Sequence, residues 1–90
     1  MAVQVKFPRV LAPIVGEELG GEIEASDTEH LREALEIHWP GLTNHLFDST
    51  GALRPHVLCF IDDVGDRLDG QPRQLADGST IRIVQAVSGG

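Results

Sequence analysis

Leu75–Gly90 reads LADGSTIRIVQAVSGG, and the interpretation of this stretch decides the fold. Asp77 and Gly78 mark a tight turn. TIRIV at 80–84 then sets Ile81 and Ile83 against Arg82 with the two-residue period of a strand. After that strand come only small residues, AVSGG, ending in two glycines that carry no side chain and restrict φ and ψ very little. The expectation is a final, central strand passing directly into a slender tail: a domain over 1–85 and a flexible C-terminal segment over 86–90.

Working outward, VLCFI at 57–61 is short and continuously apolar, which fits a strand buried or contacted on both faces. The run DDVGDRLDG after it is turn-rich, with room for a short strand near Arg67. At the other end, AVQVKF places Val3, Val5 and Phe7 on one face and Ala2, Gln4 and Lys6 on the other. Pro8 and Pro13 break regular structure as far as Gly20 and Gly21, although VLAPIV is apolar enough to lie on the domain. GEIEA follows as a second strand with Ile23 inward, making a hairpin with a long connection.

Ser26 and Glu29 fit a capping box, and Asp27 and Thr28 add further acceptors for the unpaired amides of the first turn. Leu31, Ala34, Leu35 and Trp39 then recur at helical spacing until Pro40 and Gly41 end the helix. LTNHLF adds one short turn, with Thr43 as its cap and Leu42 and Leu46 as anchors, and DSTG at 48–51 is a turn. One main helix and four or five strands satisfy one another when a sheet packs one face on the helix, an α+β arrangement in two layers.

Composition narrows the function. Ninety residues support one core. A net charge of −7, with 14 acidic and 7 basic residues, disfavours nucleic acid, which requires clustered Lys and Arg; a protein partner with a basic surface suits it better. Lys6 is the only lysine. Cys59 is the only cysteine, so no internal disulfide forms, and its place between Leu58 and Phe60 marks a small core residue rather than a nucleophile. No stretch approaches the roughly 20 apolar residues that span a bilayer, and MAVQVKFPRV lacks the apolar block of a signal peptide. A cytoplasmic protein is expected.

His30, His38, His45 and His56 have no metal-ligand spacing, and Asp62, Asp63, Asp66 and Asp69 lack the glutamate that closes a calcium loop. No metal site and no catalytic residue of its own are therefore expected. Trp39 reads as an anchor at the edge of the core.

The element order, the alternation in AVQVKF, the LADGSTIRIV block and the terminal VSGG together resemble the ThiS/MoaD-like sulfur carriers, which have the β-grasp, ubiquitin-like fold. The resemblance covers the whole chain. Within that family the sequence looks most like the carriers that supply sulfur for cysteine synthesis in actinobacteria. Asp62 stands where an Asn is common, and Gln85 where a proline often precedes the tail.

The resemblance implies that Gly90 is the reacting residue. Its carboxylate is adenylated in a partner enzyme that uses ATP, then converted to a thiocarboxylate, while Gly89, Ser88 and Val87 thread into the partner. The carrier itself binds no cofactor. It implies an adenylating, sulfur-transferring partner of the ubiquitin-activating type and a recipient, with cysteine synthase favoured over the large subunit of molybdopterin synthase or a thiamine pathway. A ubiquitin-like protein modifier and a plain interaction domain are the alternatives from other classes. Leu58 and Phe60 are candidates for the partner interface, with Arg67 and Arg82 at its rim beside Arg54 and Arg73. The same strand is equally well read as covered on both sides by its own loops.

Overall fold

The computed structural model describes residues 1–86. The chain runs through β1 (Ala2–Lys6), a 3-10 turn (Arg9–Leu11), α1 (Ala12–Val15), β2 (Gly20–Glu24), α2 (Thr28–His38), α3 (Leu42–Leu46), β3 (Val57–Ile61), β4 (Val64–Gly65) and β5 (Thr80–Gln85). The five strands form one mixed sheet in the order β2-β1-β5-β3-β4. β1 and β2 make the expected antiparallel hairpin, while β5 runs parallel to β1 and antiparallel to β3. The final strand is therefore central, and the fold is the α+β β-grasp arrangement expected.

Alternation sorts the side chains as the sequence requires. Val3, Val5, Ile23, Val57, Cys59, Ile61, Ile81 and Ile83 point inward and are buried, and Leu31 and Leu35 of α2 complete the same core with no exposed surface. Burial of each such leucine contributes about 1.5–3 kcal/mol. Phe7 lies just past β1 and packs edge-on against Trp39, with ring centroids 4.9 Å apart, so Trp39 closes the edge of the core.

The turn at Asp77–Gly78 ties the two ends of the chain together. Ser79 N–H donates to Ala76 O, and Gly78 occupies the third turn position at φ +86, where a side chain would be strained. Asp77 accepts from the Ala2 N–H at 2.9 Å, and the Gly78 N–H donates to Ala2 O at 2.7 Å. The start of β1 is fixed beside β5 in this way.

Local expectations are corrected in five places. The cap of α2 is Asp27 rather than a Ser26–Glu29 box: Asp27 accepts from the His30 N–H at 2.8 Å, because the segment before β5 pins this position through a bridge to Gln74 and a bond from the Thr28 N–H to Arg73 O. Thr43 does not cap α3. It lies inside that helix, and Glu36 of α2 accepts from the Gly41 N–H, the Thr43 N–H and the Thr43 hydroxyl, an inter-helix cap invisible to local pattern.

The short fourth strand is Val64–Gly65 rather than near Arg67, because a two-residue turn at Asp62–Asp63 folds the chain back at once. The segment between Pro8 and Gly20 contains a 3-10 turn and α1, with Pro13 in the first turn of α1, where its missing N–H costs nothing. Finally, β3 is not buried on both faces: Leu58 is 42% exposed and Phe60 only partly covered.

Candidate functional site

The sheet has one face on the core and one open. Strand registers place Glu22 and Glu24 of β2, Gln4 and Lys6 of β1, Thr80, Arg82 and Val84 of β5, and Leu58 and Phe60 of β3 on the open side. The face is thus acidic at one edge and cationic in the middle, where Lys6 and Arg82 occupy paired positions. It is apolar toward β3, where Leu58 opposes Val84 and Phe60 opposes Arg82.

Arg82 extends along this face, its guanidinium 5.7 Å from the Phe60 ring centroid and 3.2 Å from Asp63. Arg67, with Asp69 at 3.7 Å, lines one hollow with Leu58, Phe60 and Val57. Leu58, Phe60 and Arg67 thus share one hollow at β3, and Arg82 reaches Phe60 from the neighbouring strand. Arg73 is bonded at 3.0 Å to Asp66, which lines the same hollow. Lys6 and Val84 belong to the same surface and were missed, although the period-two alternation of β1 and β5 carries that signal.

The hairpin at the top of β3 explains an unusual pair of residues. Asp62 and Asp63 both have positive φ, +49 and +70, a conformation that Asp and Asn tolerate better than other residues with a side chain. The Asp62 carboxylate accepts from the Thr80 N–H and the Ser79 hydroxyl, both at 2.9 Å, so these bonds hold its pKa below the ordinary carboxylate value. An acid does the work of an amide here: it completes the turn and fixes the first residue of β5. The neighbouring acids are also committed, Asp63 to Arg82 and Asp66 to the Leu68 N–H and Arg73.

Cys59 is a core residue. Burial pushes its thiol up to about 12, with Asp66 adding to the shift, and a thiol so poorly ionised is not a nucleophile. Among the described residues no group of three His, Cys, Asp or Glu is placed to hold a metal ion. His30 is bonded to Asp27, His38 lies tilted beside the Trp39 ring, and His45 and His56 lie together around a hollow with Asn44 and Arg54. No helix among the described residues is long and apolar enough to cross a membrane.

Gln85 pairs with Val57, and the Ala86 N–H donates to His56 O at 2.7 Å. The chain thus leaves the sheet beside the start of β3. Gly90, Gly89, Ser88 and Val87 lie outside the described residues, as does most of the expected 86–90 tail.

No family model matches the chain. The sulfur carrier protein CysO of Mycobacterium tuberculosis is 29% identical over 93 residues, covering 100% of both chains. The crystal structure of Mycobacterium tuberculosis CysO superposes with a TM-score of 0.82 at 26% identity, over 94% of this chain and 99% of that one. The CysO complex with BexX from Amycolatopsis orientalis gives a TM-score of 0.83 at 25% identity, over 98% and 99%. A central β5 delivering the chain to the rim of an open sheet face, a shared β-grasp, ubiquitin-like fold and similarity along the whole length make this chain similar to the CysO sulfur carriers.

Proposed function

We propose that the chain carries sulfur as a thiocarboxylate on Gly90 and delivers it in cysteine synthesis. The Gly90 carboxylate attacks the α-phosphorus of ATP in the site of an adenylating partner, pyrophosphate leaves, and a sulfur nucleophile then displaces AMP from the acyl-adenylate. The chain supplies the acyl group, and the contacts to ATP belong to the partner. Glycine at 89 and 90 suits a backbone that must enter a narrow channel, because a side chain there would add width and restrict φ and ψ.

The observation that carries this reading is the similarity to CysO across 100% of both chains, so that the Gly89–Gly90 end falls inside the matched length. The complex of the Amycolatopsis carrier with BexX supports a carrier that works docked to a second protein. The Leu58, Phe60, Arg67 and Arg82 side of the open face is the proposed docking surface for the adenylating enzyme.

The test is intact mass, measured on protein from its own host under mild, non-alkylating conditions and again after incubation with ATP, sulfide and the host's adenylating enzyme. Replacement of one oxygen by sulfur, placed on Gly90 by fragmentation, is the expected result. An unchanged mass after the incubation overturns the proposal. Co-purification with a cysteine synthase, rather than with the large subunit of molybdopterin synthase, identifies the recipient.

A further inference from the structure

The point at which the chain leaves β5 has a surface of its own. α3 and the segment leading into β3 enclose a hollow lined by Asn44, His45, Arg54 and His56, without a carboxylate among them, in a chain of net charge −7. Arg54 is held in place there. Its Nε and one terminal nitrogen donate to the Asn44 carbonyl at 3.3 and 2.9 Å, leaving the other terminal nitrogen for a further acceptor.

Other arginines are differently engaged. Arg9, Arg67, Arg73 and Arg82 each meet a carboxylate, and Arg32 lies over the Phe47 ring and donates to Leu68 O. Arg54 makes no ion pair among the described residues. Asp48 lies close enough to feel its charge, but the Asp48 carboxylate accepts from Thr50 and Ala52. His45 and His56 are exposed and add imidazole donors to the same hollow. Because the Ala86 N–H is bonded to His56 O, a protein that takes up the residues beyond Ala86 is brought against this cluster.

We propose that Asn44, His45, Arg54 and His56 form a docking rim for an acidic surface on the protein that receives the C-terminal segment. This rests on the reading of the segment as one handed to an adenylating partner. The acidic body of the chain is drawn to basic surfaces in general. A patch of hydrogen-bond donors that holds the Arg54 cation and no carboxylate, beside the exit of the chain, then fixes which end of the carrier faces the partner's channel, since complementary charge governs register and rate of encounter more than total affinity. An arginine already ordered by Asn44 loses less side-chain entropy on meeting a carboxylate than a mobile one.

The test is ATP–pyrophosphate exchange by the host's adenylating enzyme as a function of carrier concentration and salt. It compares wild type, the double variant His45→Glu/His56→Glu, which leaves the Arg54 anchor intact, and the double variant Ile37→Glu/Gln71→Glu, which adds two charges at other exposed positions. The rim predicts a KM at least tenfold higher for the histidine variant at low ionic strength, with kcat within twofold of wild type and the defect shrinking as salt rises. It predicts an unchanged KM for the control. A histidine variant with wild-type KM, an equal rise in the control, or a fall in kcat alone overturns the rim while leaving the carrier reading in place. Absence of exchange with the wild-type chain overturns the carrier reading, and the rim with it.

Discussion

Leu58 offers a direct measure of what the open sheet face does. The side chain is 42% exposed on a strand whose other face is core, opposite Val84 and in one hollow with Phe60 and Arg67. Full burial of a leucine contributes about 1.5–3 kcal/mol, so covering the remaining 42% on docking contributes about 0.6–1.3 kcal/mol. With about 1.4 kcal/mol to each factor of ten, Leu58→Ala weakens the complex with the adenylating enzyme about threefold to ninefold. Leu58→Glu, which also brings an unpaired charge into the contact, weakens it by more than about tenfold. Titration calorimetry against the purified partner reads the affinity. A thermal melt of the free variant is run beside it, because the covered part of the same side chain also supports the fold. A stable Leu58→Glu carrier that binds as tightly as wild type would refute the assignment of this face to docking.

Two further perturbations test the structure beneath the site. Gly20→Ala drives a Cβ into the Val5 carbonyl oxygen at φ +131, so the β1–β2 pairing must separate; a loss of about 1–3 kcal/mol is expected in chemical denaturation, and wild-type stability would contradict the register. The Asp27–His30 pair makes stability depend on pH in two directions. Asp27 is lowered by the His30 bonds, so its contribution is present above its unfolded value of 3.8 and is lost as pH falls through the lower folded value. His30 is raised by its bond to Asp27, so its contribution is complete below 6.5 and is lost as pH rises through the higher folded value. The pair therefore contributes most between 3.8 and 6.5. His30→Gln removes the decline on the alkaline side of a melting-temperature profile, and an unchanged profile would show that the pair contributes nothing.

Much of the architecture follows from local pattern. Alternation in AVQVKF and TIRIV assigns Val3, Val5, Ile81 and Ile83 to the core, and Pro40–Gly41 ends α2, because each depends only on neighbouring residues. The misplaced caps have a different cause. Asp27 and Ser26 are N-cap residues of similar strength, Thr28 a weaker one, and contacts from Arg73 and Gln74 select among them. Glu36 caps α3 only because Gly41, at φ +91, turns that helix back onto α2.

What the sequence by itself determined is therefore the inward and outward face of the longer strands, the main helix and the chemical character of a segment ending in two glycines. The tertiary structure alone decided the rest. It chose β1 and β3 as the neighbours of the central β5, left the Leu58 side of an all-apolar strand uncovered, set Arg67 and Arg82 beside that strand, and gathered residues 44, 45, 54 and 56 around the exit at Ala86. The physical reason is range. Periodicity and turn chemistry act over a few residues, whereas contacts such as that of Ala2 with Asp77, 75 positions apart, form only when the whole sheet closes.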